Sequence, residues 1–182
     1  MGRQFYSTLQ IMVTLLNSTA STGAGAYPDL QDHIAALEEA GLLLRIDKPV
    51  NKDTELHPLV RWQYRGGIPD ADRKAFLFTN VFDSRGRKYD MPVLVGALAA
   101  NRDAYRIGIG VSLDQIGPHW ANAVTNPIEP VEVTVAPCQE IVLTGADLIG
   151  DGKGLDALPV PISTPGFDSA PYLTAGMFVT KD

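Results

Sequence analysis

The stretch Asp29-Leu30-Gln31-Asp32-His33-Ile34-Ala35-Ala36-Leu37-Glu38-Glu39-Ala40-Gly41-Leu42-Leu43-Leu44-Arg45-Ile46 decides the fold class. Asp29 stands where an N-cap carboxylate accepts backbone N–H bonds, Leu30, Ile34 and Leu37 recur at helical spacing, and Gly41 stops the helix. Leu42 to Ile46 then predicts a buried strand. Working outward, Asp47-Lys48-Pro49 turns the chain and Asp53 or Thr54 caps a second helix. Leu56, Leu59, Val60 and Trp62 give that helix an apolar side, Pro58 falls in its first turn, where a missing N–H matters least, and Gly66-Gly67 ends it. Phe76-Leu77-Phe78 and Pro92-Val93-Leu94-Val95 read as strands on either side of the hairpin-like Asp83-Ser84-Arg85-Gly86-Arg87-Lys88. Helix, strand, helix, strand, strand predicts an α/β (α+β) domain over residues 29–125.

Beyond this unit the pattern changes. A short helix follows Asn101, and Ser112 with Gln115 has the spacing of a capping box for a further helix through Trp120 to Val124. Asn126-Pro127-Ile128-Glu129-Pro130 marks a boundary. After it, Val131-Glu132-Val133-Thr134-Val135 and Glu140-Ile141-Val142-Leu143 alternate as half-buried strands do. Gly150 to Pro171 predicts a long ordered connector, its prolines limiting backbone freedom and its Leu155, Leu158, Val160 and Ile162 available to pin it on a core. Tyr172 to Thr180 starts another strand, so residues 126–182 read as the opening of a β domain. Residues 1–28 stand apart: Arg3 is their single charge, and an apolar run leads to Ala24-x-Ala26. They read as a weakly ordered extension or misplaced start, a secretory signal, or a transit peptide.

Composition excludes several function classes. Of 182 residues, 15 are Lys or Arg and 21 Asp or Glu; the formal net charge of −6 counts against nucleic acid and against an anionic membrane as partners. No run approaches the roughly 18 apolar residues of a membrane-spanning helix. The single cysteine, Cys138, has no internal disulfide partner, which fits a reducing, cytoplasmic setting.

Each local motif has a plain structural explanation. Gly150-Asp151-Gly152-Lys153-Gly154 lacks the spacing and the Ser or Thr of a phosphate-binding loop and reads as a solvated turn. Gly108-Ile109-Gly110 lacks the third glycine of a dinucleotide fingerprint and reads as a helix terminator. His33, His57 and His119 lie on predicted helices, and none has a His, Cys or carboxylate at i+3 or i+4 to put two ligands on one helical face, so no metal site is assigned. Cys138 has no cation or histidine beside it in sequence to lower its pKa. The residues by themselves assemble no catalytic set, and no catalytic or metal-ligating residue is named.

Five segments in order resemble UbiD-type decarboxylases: residues 29–46 above, Ala75-Phe76-Leu77-Phe78, Ala136-Pro137-Cys138-Gln139-Glu140, Leu158-Pro159-Val160-Pro161-Ile162-Ser163-Thr164-Pro165, and Pro171-Tyr172-Leu173-Thr174-Ala175-Gly176. The resemblance spans residues 29–182. It implies a reversible, non-oxidative carboxy-lyase for aromatic or α,β-unsaturated acids, using prenylated FMN as electron sink with a divalent metal, usually manganese (Mn2+), on the cofactor phosphate. It also implies that the α/β domain precedes a split-barrel flavin-binding domain, here represented by its first strands, and that the family's Glu-Arg-Glu set and its Asn, His and Glu metal ligands lie beyond this sequence. Within the chain, Thr174 is the implied cofactor contact, its hydroxyl able to bond the flavin; the plain alternative is a β-branched residue filling a strand position. The chain is therefore expected to be the N-terminal portion or small subunit of such an enzyme, inactive alone and completed by the remainder of the decarboxylase in a homo- or hetero-oligomer. The alternative is a non-catalytic interaction or regulatory module that kept the fold.

Overall fold

The computed structural model describes residues 29–129, 131–136, 139–164 and 166–173. Helix α1 (Leu30–Glu39) begins as its sequence dictates: the Asp29 carboxylate accepts the backbone N–H of Gln31 at 2.7 Å and of Asp32 at 3.0 Å. Gly41, with φ of 67°, takes the left-handed conformation that ends the helix and turns the chain into β1 (Leu43–Ile46). After β2 (Val50–Asn51), helix α2 (Leu56–Arg65) crosses to β3 (Ala75–Phe78) and β4 (Val81–Phe82). Strands β5 (Lys88–Tyr89) and β6 (Val93–Val95) return antiparallel, and helices α3 (Arg102–Ile109) and α4 (Ile116–Thr125) follow.

The strands form two three-stranded sheets, ordered β1-β3-β6 and β2-β4-β5, each with one parallel and one antiparallel pair. The break between them falls at Asp47-Lys48-Pro49 opposite Thr79-Asn80. Pro49 has no N–H to continue a ladder, and side chains close the gap. Thr79 Oγ1 donates to Asp47 Oδ1 at 2.6 Å, and Val50 N–H reaches the Asn80 carbonyl at 3.0 Å.

Alternation along β3 separates two apolar clusters. Phe78 packs with Val50, Leu56, Val60 and Val81 beneath α2, and its ring stacks on Phe76 at 5.9 Å between centroids. Ala75 packs with Leu37, Ala100 and Ala104 under α1 and α3. The small Ala75, Ala100 and Ala104 let the two helices approach the sheet closely.

Several expectations are corrected. Neither Asp53 nor Thr54 caps α2: Glu55 holds the cap position without a side-chain cap bond, because the Asp53 carboxylate is taken by Lys52 and by the Ser84 N–H. The buried side of α2 is Leu56, Val60 and Gln63, while Trp62 is 70% exposed. Gln63 sits inside because its amide makes a two-bond clamp with the backbone of Lys74, accepting its N–H and donating to its carbonyl, each at 2.9 Å. The Ser112–Gln115 capping box does not form; a 3-10 turn at Leu113–Gln115 leads into α4 instead. Among the described residues, 131–136 and 139–143 form no strand. Their alternation is present, but strand geometry needs a partner edge, and none lies beside them.

Residues 151–164 do form an ordered strap across the α/β body, with 3-10 turns at Gly145–Leu148 before it and Gly154–Ala157 within it. Its apolar side chains were expected to pin it. Pro159 is buried and Leu158, Val160 and Ile162 are half-buried, but Leu155 is 73% exposed.

Candidate functional site

The strap lies against a polar seam formed by the start of α2 and the β4–β5 turn. At its centre is Lys52, whose side chain is 5% exposed. Its Nζ donates to Asp53 Oδ1 at 2.7 Å and to the Val160 carbonyl of the strap at 3.0 Å, and sits 5.7 Å from the centroid of the Tyr89 ring. A buried ammonium needs such compensation for its lost hydration. Burial pushes the Asp53 carboxyl up, but the bond from Lys52 and the Ser84 N–H outweigh it and hold the group below its ordinary range.

Asp83 organises the adjoining turn. Its Oδ1 accepts the backbone N–H of Arg85 at 2.9 Å and of Arg87 at 2.8 Å, and its Oδ2 accepts the Tyr89 hydroxyl at 3.2 Å. Burial pushes this carboxyl up too, and the Arg87 and Arg85 N–H groups bring it down below the usual value. Tyr89 is shifted up, by burial first and then by the Asp83 charge.

The turn aims Arg87 outward at the strap. Its guanidinium pairs with Asp151 and with Asp156 Oδ2 at 2.5 Å, and also donates to the Asp156 carbonyl at 3.1 Å. At the other end of the seam, Arg61 on α2 donates to the Ser163 carbonyl at 2.8 Å and to Thr164 Oγ1 at 3.0 Å. The Thr164 N–H in turn reaches Asp168 Oδ2 at 2.6 Å. His57, one turn before Arg61, is half-buried; burial and then the Arg61 charge push its imidazole down, with Asp168 opposing them.

The glycine-rich turn at 150–154 has its groups engaged internally. The Gly152 N–H goes to Asp156 Oδ2 at 2.9 Å and Lys153 Nζ to the Ala146 carbonyl at 3.2 Å. It is not merely a solvated turn, since Arg87 ties it to the body of the domain. His33 is buried on α1 with Nε2 3.1 Å from the Ala97 carbonyl. His119 on α4 lines an open hollow of about 450 Å³ with Val111, Ser112, Gln115 and Pro118, without a charged neighbour in its wall. Among the described residues no group of three or more His, Cys, Asp or Glu side chains converges. Thr174, the expected cofactor contact, and Cys138 lie outside the described residues.

Comparison with known proteins gives the family. Residues 34–124, half of the chain, match the 3-octaprenyl-4-hydroxybenzoate carboxy-lyase N-terminal domain, UbiD_N. The chain belongs to the UbiD family. A solved relative is the UbiD-class enzyme HmfF from Pelotomaculum thermopropionicum, determined in complex with FMN. It is 29% identical, with a TM-score of 0.60 over 80% of this chain. The chain spans 29% of the length of that enzyme. The UbiD-family match runs from within α1 through most of α4 and includes Lys52 after β2, Arg61 on α2 and Arg87 in the β4–β5 turn; the strap lies past it in sequence. No helix among the described residues is long and apolar enough to cross a membrane.

Sequence reasoning missed the three cations of the seam. Lys52, Arg61 and Arg87 meet partners 64 to 108 residues away, beyond any local pattern. One signal was present: Pro159 and Pro161 deprive the strap of backbone donors, so its carbonyls call for cationic side chains.

Proposed function

We propose that this chain supplies the N-terminal α/β domain, residues 29–125, and the first strands of the split-barrel flavin domain, residues 126–182, of a UbiD-like non-oxidative decarboxylase of aromatic or α,β-unsaturated carboxylic acids, and that it is inactive alone. The observation that carries this reading is the unpartnered apolar alternation after α4: Val131, Val133 and Val135 are 82%, 59% and 84% exposed, with no strand beside them among the described residues. A row of valines with open backbone groups is what a sheet leaves when its neighbouring strands belong elsewhere. The UbiD-family match and the likeness to an FMN-bound UbiD-class enzyme support flavin as the cofactor.

Prenylated FMN, when bound, supplies the electron sink for loss of carbon dioxide. The family resemblance assigns the manganese ligands and the Glu-Arg-Glu set to the remainder of the enzyme. Within this chain Thr174 is the proposed flavin contact. The residues of the seam hold the approach to it and take no chemical step. The assembly is a cytoplasmic homo- or hetero-oligomer.

Mixing the chain with prenylated FMN and Mn2+, with and without the remaining decarboxylase polypeptide, tests this. Flavin absorbance that co-elutes with protein only in the mixture is the expected result. A stable, monodisperse, flavin-free protein indifferent to that polypeptide overturns it in favour of a non-catalytic module.

A further inference from the structure

The strap is short of backbone donors and rich in carbonyl acceptors. Pro159 and Pro161 have no N–H, so Leu158-Pro159-Val160-Pro161 cannot join a sheet ladder through those positions. What it can offer is oxygen. Three carbonyls along it, those of Asp156, Val160 and Ser163, accept from Arg87 at 3.1 Å, Lys52 at 3.0 Å and Arg61 at 2.8 Å. Each cation comes from a different place on the α/β body: the β4–β5 turn, the segment after β2, and α2. Lys52 is held from the body by Asp53, whereas Arg87 and Arg61 make further bonds to the strap itself, to Asp151 and Asp156 and to Thr164 Oγ1.

We propose that Lys52, Arg61 and Arg87 act together as a three-point clasp on the carbonyl oxygens of residues 156–163, fixing the register of the strap on the α/β body and hence the point at which the chain departs toward Tyr172. They are positioning residues. All-donor side chains suit an acceptor-rich proline segment, and three separated contacts remove both sliding and rotation, which one contact does not. The ends differ from the middle. Lys52 is buried and acts as the fixed pin, whereas Arg87 and Arg61 close the two ends. The inference concerns the strap's attachment and stands whether or not the chain serves a decarboxylase.

Native-state proteolysis of the full chain tests each end separately. Trypsin reports on the Lys153–Gly154 bond and chymotrypsin on Phe167–Asp168. Arg87→Gln is expected to speed tryptic cleavage at Lys153–Gly154 by about fivefold and Arg61→Gln to speed chymotryptic cleavage at Phe167–Asp168 by a similar factor, the size expected for partly exposed ion pairs and charge-assisted bonds. Cleavage after Arg45, within β1, stays at the parent rate and shows that the body is intact. Asp156→Asn, which leaves Arg87 its bonds to Asp151 and to the Asp156 main-chain carbonyl, is expected to speed that cleavage less than Arg87→Gln does, and the double variant to match Arg87→Gln within about twofold. Strap cleavage within twofold of the parent in both arginine variants overturns the clasp. So does acceleration that is equal after Arg45, since that is global loosening.

Discussion

Replacing Asp83 with alanine removes the acceptor around which the β4–β5 turn is built. Two backbone N–H groups, of Arg85 and Arg87, lose their partner, and the Tyr89 hydroxyl loses a third bond. A partly buried donor left unsatisfied costs about 1–3 kcal/mol. The turn borders solvent, so water recovers part of this, and the expected loss is about 2–3 kcal/mol. In a chain of this size about 1 kcal/mol shifts Tm by about 2–4 °C, so Asp83→Ala should melt about 5–10 °C lower. Asp83→Asn keeps the carbonyl oxygen that both N–H groups share and forfeits mainly the charge and the Tyr89 bond; its loss should be under half that of alanine. Urea denaturation followed by circular dichroism gives both values. Alanine within about 0.5 kcal/mol of the parent, or asparagine as damaging as alanine, would refute the assignment of the turn to this carboxylate.

Leu37, fully buried between α1 and the sheet, should cost about 2–5 kcal/mol as Leu37→Ala, read as a lower urea midpoint at unchanged slope. Asn101 caps α3 by accepting the Ala104 N–H at 2.7 Å and ties it to the Arg73 carbonyl at 2.8 Å, so Asn101→Ala should lose about 1–2 kcal/mol and Asn101→Asp less at the cap but not at Arg73. His57 is held neutral below its ordinary pKa of 6.5 by burial and Arg61, so the unfolded chain binds its proton first. Stability should therefore be complete above about pH 6.5 and decline as the pH falls toward the folded-state value, and urea midpoints for His57→Gln should be flatter across that window. Asp53 and Asp83 are depressed instead. Their contribution is present above the unfolded value of 3.8 and lost as pH falls through their folded values, so Asp53→Asn should reduce the acid sensitivity of the fold below about pH 4.

The α/β body was legible wherever a local rule governs. Asp29 before Leu30, Ile34 and Leu37 specifies α1 because an N-cap and an apolar stripe are neighbours in sequence. Phe76 to Phe78 and Val93 to Val95 read as strands because β-branched and aromatic residues dominate them. The errors arose where a long-range partner overrode a local one. Asp53 looked like a cap until Lys52 and Ser84 claimed its carboxylate, and Trp62, read on the apolar side of α2, gives way to Gln63, which the N–H and carbonyl of Lys74 hold inside. The seam stayed invisible because its cations and carbonyls are far apart in sequence. The alternation of Val131, Val133 and Val135 was read correctly as a pattern but not as a paired strand, since pairing depends on an edge that the described residues do not contain.

We propose that this UbiD-family chain holds an approach to a flavin site and leaves the chemistry to the remainder of the enzyme. Carbon dioxide release from an aromatic acid by the purified 182-residue chain, given prenylated FMN and Mn2+, measures that directly. The account predicts a rate no higher than cofactor and buffer alone, rising when the remaining decarboxylase polypeptide is added. Sustained turnover by the chain alone would contradict it.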